Sequence, residues 1–172
     1  IARDLQLDRE QDTLGSRDAH QNWIPEIQAH LRRHFDQPIA QQPAGFSVLG
    51  VGSGGLATES VKYIVKETLR GRHLATHPLY FVGVDISETS LEQSRRAFDA
   101  LKAELREEGV PVEHLHFILL KGDMNKWDEL DAKLLARRLR LPSGRFLRLR
   151  DLLDRGSPAR PRQLGKLMVV RR

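Results

Sequence analysis

Three short apolar runs, Phe46–Val51, Leu79–Val84 and Leu115–Leu120, punctuate the middle of the chain, and each gives way to a glycine or an aspartate: Gly52, Asp85 and, after Lys121, Gly122-Asp123. Near-continuous apolar runs of this length suit strands buried on both faces. Between them lie segments whose apolar residues recur at helical spacing. Strands alternating with helices predict an α/β fold of three layers, a mostly parallel sheet covered by helices on both sides. Crossovers in such sheets are right-handed, so the carboxyl ends of the three strands share one edge, where sheets of this type bind ligands. Gly52, Asp85 and Asp123 are therefore expected to converge.

The first intervening helix is expected from Leu56 to about Leu69, with Val61, Ile64, Val65 and Leu69 on its apolar face and Gly71 as its C-cap. Ser87 is placed to cap the second, in which Leu91, Phe98, Leu101 and Leu105 keep helical register until Gly109, with Pro111 just beyond. Upstream, the first fifteen residues read as a polar arm. A helix from Ser16 to about Phe35 would then carry Trp23, Ile27, Leu31 and Phe35 on one stripe, and Pro25 is tolerated there if the helix begins near Asn22. Gln37–Gly45 is a linker. After Asp123 the alternation weakens: residues 126–141 are helix-patterned, Arg, Leu, Pro and Gly dominate the stretch beyond 141, and Leu167–Val170 is the one further strand candidate. The division expected is 1–45 for the arm and amphipathic helix, 46–131 for an incomplete sheet core, and 132–172 for a basic helical extension or tail.

Charge separates the last of these three regions from the first two. Residues 1–131 hold 15 Lys+Arg against 21 Asp+Glu, a net of −6, whereas residues 132–172 hold 13 Lys+Arg against Asp151 and Asp154, a net of +11. A basic tail of this kind docks on phosphates, on an anionic surface or on the acidic body of its own protein, and with Phe146 as the one aromatic after Trp127 it lacks the interleaved rings of a base-stacking surface. The chain contains no cysteine, which removes disulfides, thiolate metal ligands and cysteine nucleophiles together. Seven histidines remain, none at a zinc-like spacing; His114 and His116 would share one strand face, and no metal is expected. No apolar run approaches the roughly 20 residues that span a bilayer, and no signal peptide opens the chain, so a soluble cytoplasmic protein is expected.

Residues 46–55, Phe-Ser-Val-Leu-Gly-Val-Gly-Ser-Gly-Gly, attach four glycines to the first strand just ahead of the first helix. Glycine serves where a backbone turns tightly and a ligand must approach closer than a Cβ allows, and the free N–H groups of the following helix attract negative charge. A nucleotide-like ligand is the expected client.

A glycine-rich turn after strand one, an acidic residue ending strand two and Gly-Asp ending strand three together resemble a class I S-adenosylmethionine-dependent methyltransferase, over roughly residues 46–125. The phrase Val82-Gly83-Val84-Asp85-Ile86-Ser87, followed by Leu91 and Ala97, is similar to that family's second motif. The resemblance implies a Rossmann-like fold. It implies that Gly50, Gly52, Ser53, Gly54 and Gly55 form the loop beneath the methionine part of the cofactor, and that Asp85 accepts from both ribose hydroxyls. It further implies that Ile86 packs on the adenine, Asp123 accepts from the adenine amine and Met124 lines the same slot. By the same analogy His20, Asn22 and Trp23 are acceptor-side candidates; the methyl acceptor itself, whether small molecule, protein or nucleic acid, is not readable.

The chain departs from that pattern in two places. The acidic residue usual near the end of strand one is replaced by Val48 or Gly50, depending on register, and the strands that normally follow the third are represented by a single candidate. A fragment, a truncated product and a degenerate relative all fit those departures. Two other readings stand beside the methyltransferase. Gly50-Val51-Gly52-Ser53-Gly54-Gly55 also satisfies the dinucleotide pattern of an NAD(P) oxidoreductase, although Asp85 lies 30 residues past Gly55 where about 20 is typical. A non-catalytic nucleotide-binding or regulatory module would keep the glycine turn without chemistry.

Overall fold

The computed structural model describes residues 24–155. Four parallel strands, β1 (Gly45–Leu49), β2 (Leu79–Asp85), β3 (Leu115–Lys121) and β4 (Leu152–Arg155), lie in the order β3-β2-β1-β4. Helix α1 (Ile24–Phe35) precedes the sheet, and α2 (Gly55–Glu67), α3 (Glu88–Glu107) and α4 (Trp127–Ala136) make the three crossovers. The fold is α/β and Rossmann-like, as the alternation of runs and helical stripes predicts. From β1 the chain winds outward through β2 and β3, then returns to place β4 on the other side of β1. The winding therefore reverses at β1, where sheets of this type open a crevice.

Strand alternation assigns the two faces. Phe46, Val48, Leu79, Phe81 and Leu115 meet Ile27, Leu31 and Phe35 of α1, Val61 and Ile64 of α2, and Phe98, Leu101 and Leu105 of α3 in one buried cluster. Leu49, Tyr80, Val82, Val84, Ile118 and Leu120 meet Leu130 and Leu134 of α4, together with Leu141, Leu147 and Leu149, on the opposite face. The segment that carries Leu141 and Leu147 is a turn in which Leu147 N–H donates to Leu139 O (2.7 Å) and Leu141 N–H to Arg145 O (2.8 Å), folding residues 139–147 back over the sheet. Arg148 pairs with Asp131 of α4 and Arg145 with Asp151, so part of the basic segment is neutralised within the fold.

Several boundaries differ from the expectations. β1 ends at Leu49 rather than Val51 because Gly50 turns the chain at φ 74°. α2 ends at Glu67, where Thr68 adopts extended backbone and its hydroxyl donates to Ile64 O (2.7 Å); Leu69 begins a 3-10 turn and is 42 % exposed. Gly71 is not a left-handed C-cap. It sits inside that 3-10 turn so close to α2 that a Cβ would lie 1.9 Å from Val65 O. Ser87 and Gly109 do bound α3: Ser87 Oγ accepts from Ser90 N–H (3.3 Å), and Gly109 has φ 81°. β4, with the sequence Leu-Leu-Asp-Arg, was not singled out by its residues, whereas Leu167–Val170 and the Ser16 cap lie outside the described residues.

The amino-terminal ends of β1 and β2 are joined by Arg70, which is 3 % exposed. Its guanidinium donates to His77 O (3.0 Å), Pro43 O (2.8 Å), Ala44 O (3.0 Å), Pro78 O (2.7 Å) and Gln42 Oε1 (3.2 Å), using all five donors. Burial lowers its pKa to about 10. Lysine has three donors on one atom and cannot reach carbonyls on two strand approaches. Arg70→Lys is expected to cost at least about 2 kcal/mol, since buried acceptors left without a donor cost about 1–3 kcal/mol each; a urea midpoint equal to wild type would contradict this.

His116 stacks on Tyr80 with ring centroids 4.8 Å apart. Burial first, then the charges of Lys102 and His114, hold its pKa below the usual 6.5. The unfolded chain therefore takes up this proton before the folded one does. Stability from the neutral ring is complete above about pH 6.5 and drains away as pH falls through the lowered folded value. Urea midpoints measured across that window should fall less steeply for His116→Phe, which keeps the stacked ring; an identical acid slope would contradict this.

Candidate functional site

The carboxyl ends of β1, β2 and β3 meet at one edge, tied by a string of hydrogen bonds that begins in the glycine turn. Gly50 and Val51 N–H both donate to Val84 O (2.7 and 3.0 Å), so the turn stays attached to β2 after β1 has ended. Gly83 makes room for this: a Cβ there would lie 3.2 Å from Val51 Cγ2 and 2.9 Å from Leu119 Cδ2, so its absence lets Val51 settle against the sheet. Gly50, Gly52 and Gly54 take φ of 74°, 59° and 85°, a left-handed conformation in which a Cβ costs about 1–2 kcal/mol. The turn demands glycine.

Asp85 is the centre of the edge. Its Oδ2 accepts from Gly52 N–H (3.0 Å), its Oδ1 from Ser87 N–H (2.9 Å), and its main-chain oxygen from Gly122 N–H (3.0 Å). The ends of three strands are thus linked through one residue. Each carboxylate oxygen has capacity for a further donor, and the side chain is half-buried, open to the rim. Asp123, next to Gly122, accepts through Oδ1 from Asn125 N–H (2.8 Å) and the Asn125 amide (3.1 Å); its Oδ2 meets no donor among the described residues.

Apolar side chains flank these carboxylates. Leu69, Ile86 and Met124 are the exposed large hydrophobics among the described residues, and Ile86 (70 %) and Met124 (36 %) directly follow Asp85 and Asp123. Neither belongs to a core cluster. Beside Ile86, Lys121 and Glu88 form an ion pair (2.6 Å) across the top of β3 and α3, which holds the Glu88 carboxyl below its usual pKa.

The helix after the turn is open at its amino end. Gly54 is the N-cap of α2 and no side chain caps it, whereas the neighbouring α3 is capped by Ser87. Uncapped first-turn N–H groups together with the helix dipole favour an anion at that end. Gly55, the first residue of α2, is exposed there and Ser53 is half-exposed beside it.

Gly50, Gly52, Ser53, Gly54, Gly55, Asp85, Ile86, Asp123 and Met124 therefore lie along one edge of the sheet. His20, Asn22 and Trp23 fall outside the described residues. Sequence reasoning missed Ser94, a fully buried serine on α3 whose hydroxyl donates to Gly52 O (2.7 Å). Its signal was present: Ser94 occupies the apolar stripe of Leu91, Phe98, Leu101 and Leu105, where a polar side chain needs a partner. A separate cavity of about 310 Å³ opens at the opposite, amino-terminal edge, with Pro43, Arg70, Pro78, Tyr80 and Asp151 among its walls. No cluster of metal-ligating side chains is present among the described residues, and no described helix is long and apolar enough to cross a membrane.

Comparison with known protein families agrees with the fold. No curated protein sequence matches the chain. A family model described as the AprA MT2-like domain matches residues 4–166, nearly the full length, including all four strands and the whole glycine turn. The parallel sheet fits a Rossmann-like methyltransferase domain, and the chain belongs to the AprA MT2-like family of methyltransferase domains.

Proposed function

We propose that this domain binds S-adenosylmethionine along the carboxyl edge of its sheet and passes the methyl group to a nucleophilic acceptor. One observation carries the reading: Gly52, Asp85 and Gly122 are joined through the Asp85 side chain and main chain, with exposed Ile86 and Met124 at either hand. Two carboxylates with remaining acceptor capacity suit a ribose diol and an exocyclic amine, and exposed aliphatic side chains suit the faces of a purine. The uncapped start of α2 suits the carboxylate of the methionine moiety. The residues present therefore fit the cofactor.

When bound, the sulfonium would supply an electrophilic methyl. The chain's own contribution is binding and orientation: Asp85 would fix the ribose, Ile86 and Met124 would confine the base, and the Gly50–Gly55 turn would leave space for the sulfur-bearing chain. Positioning an acceptor in line with the methyl is the main source of rate in such a transfer, because no covalent step on the protein is required.

Titration calorimetry with S-adenosylhomocysteine, S-adenosylmethionine and NAD separates this reading from an oxidoreductase. Saturable binding of the first two is expected, and binding of NAD with no response to either would contradict it. Asp85→Ala should weaken S-adenosylhomocysteine binding by about 1.5–3 kcal/mol, the contribution of hydrogen bonds to a charged group; an unchanged affinity would remove Asp85 from the site. Transfer of a labelled methyl from the cofactor to an acceptor distinguishes an enzyme from a binding module.

A further inference from the structure

The two peptides that flank the Gly52 α-carbon are each held by a side chain from a different element. Its N–H donates to Asp85 Oδ2 at 3.0 Å, and its C=O accepts from Ser94 Oγ at 2.7 Å. Glycine populates both hands of the backbone map readily, so a turn in which Gly50, Gly52 and Gly54 all have positive φ has little intrinsic preference for one set of peptide orientations. Apart from the bond from Gly54 N–H to Val51 O (3.2 Å), the contacts that select the observed set come from outside the turn. Asp85 supplies one constraint on the Gly52 N–H, through a carboxylate that a bound ribose would share, and Val84 O supplies another on Gly50 and Val51. Ser94 supplies the constraint on the Gly52 carbonyl, from the protein side of the turn, where it is 0 % exposed.

We propose that Ser94 is a positioning residue for the cofactor loop: its hydroxyl fixes the Gly52 carbonyl toward α3 and so sets the plane of the Gly52–Ser53 peptide, turning the Ser53 N–H, trans to that carbonyl, away from α3, whether or not Asp85 is engaged by ligand. The assignment rests on the cofactor reading above. Packing also restricts the residue type at 94. A Cβ added at Gly54 would lie 3.1 Å from both the Cα and the Oγ of Ser94, so α3 already touches the turn as closely as a glycine permits. A larger side chain at 94 would push the turn off the helix. An alanine would fit but would leave the Gly52 carbonyl without its donor beneath the turn. Ser94 touches no reacting atom in this scheme, and its effect passes through the loop.

The test uses the full chain and four proteins: wild type, Ser94→Ala, Ser94→Cys and, as a packing control, Ser90→Ala. Ser90 lies one turn earlier on α3 and is also buried, at 5 % exposure. Two quantities are read well below the thermal midpoint of every variant: the S-adenosylhomocysteine dissociation constant and amide hydrogen exchange at Gly52 and Gly54. Ser94→Ala should raise the dissociation constant roughly five- to 150-fold, the range for stranding a buried acceptor, and should speed exchange in the turn in the absence of ligand. Ser94→Cys should resemble Ser94→Ala, because a thiol is a weak donor, while Ser90→Ala should keep wild-type affinity and exchange. An affinity for Ser94→Ala within twofold of wild type would overturn the proposal, as would full wild-type behaviour of Ser94→Cys, which would make volume rather than the hydrogen bond the property that matters. A wild-type protein that fails to bind S-adenosylhomocysteine would instead refute the cofactor reading, and that failure is visible in the wild-type measurement alone.

Discussion

The hydrogen bond from Gly52 N–H to the Asp85 carboxylate joins the turn after β1 to the end of β2, and the geometry of the rim depends on it. Asp85 cannot reach a loop that has drifted away, and a loop with four glycines in six residues has little side chain of its own with which to anchor. Around that bond the structure adds a main-chain link onward to Gly122 and a buried hydroxyl at Ser94 behind the turn. Each of these groups belongs to a different element, so the rim exists only when β1, β2, β3 and α3 are all in place. Packing far from the edge is in this sense part of the site.

The opposite edge explains how those strands come to be aligned. Arg70 gathers the carbonyls of Pro43, Ala44, His77 and Pro78 and thereby sets the starts of β1 and β2 side by side. With Gly45 paired to Tyr80 at one end, the register places Leu49 beside Val84 at the other, and the glycine turn emerges next to Asp85. A glycine at 45 is required for that approach, since a Cβ would lie 1.7 Å from Tyr80 O. A buried guanidinium at the base of the sheet and a carboxylate at its rim thus fix the same pair of strands from both ends.

Much of this was legible in the residues. Leu79–Asp85 and Leu115–Lys121 were readable because long apolar runs survive burial on both faces, and α3 because its stripe is framed by Ser87 and Gly109. The meeting of Gly52 and Asp85 at one edge was readable because parallel strands joined by right-handed crossovers carry their carboxyl ends to the same side. β4 was not: Leu152–Arg155 is a four-residue edge strand whose second half is charged, and its pairing with β1 comes from the packing of Leu147, Leu149 and Leu152 against the sheet. Gly71 misled because glycine has two uses, a left-handed cap and a close approach, and only the neighbouring Val65 carbonyl decides between them. Arg70 and Ser94 were missed because their partners are main-chain groups of other elements: the polar break in the α3 stripe at Ser94 signals that a partner is needed without saying which, and no pattern around Arg70 points to the carbonyls it gathers.

A crystal structure of the protein grown with S-adenosylhomocysteine tests the central assignment most directly. The ligand is expected at the carboxyl edge, with its ribose hydroxyls within hydrogen-bonding distance of Asp85, its base between Ile86 and Met124, and its amino-acid end over the start of α2. Density for the ligand in the cavity beside Arg70 and Tyr80, or a rim left empty at saturating ligand, would contradict it.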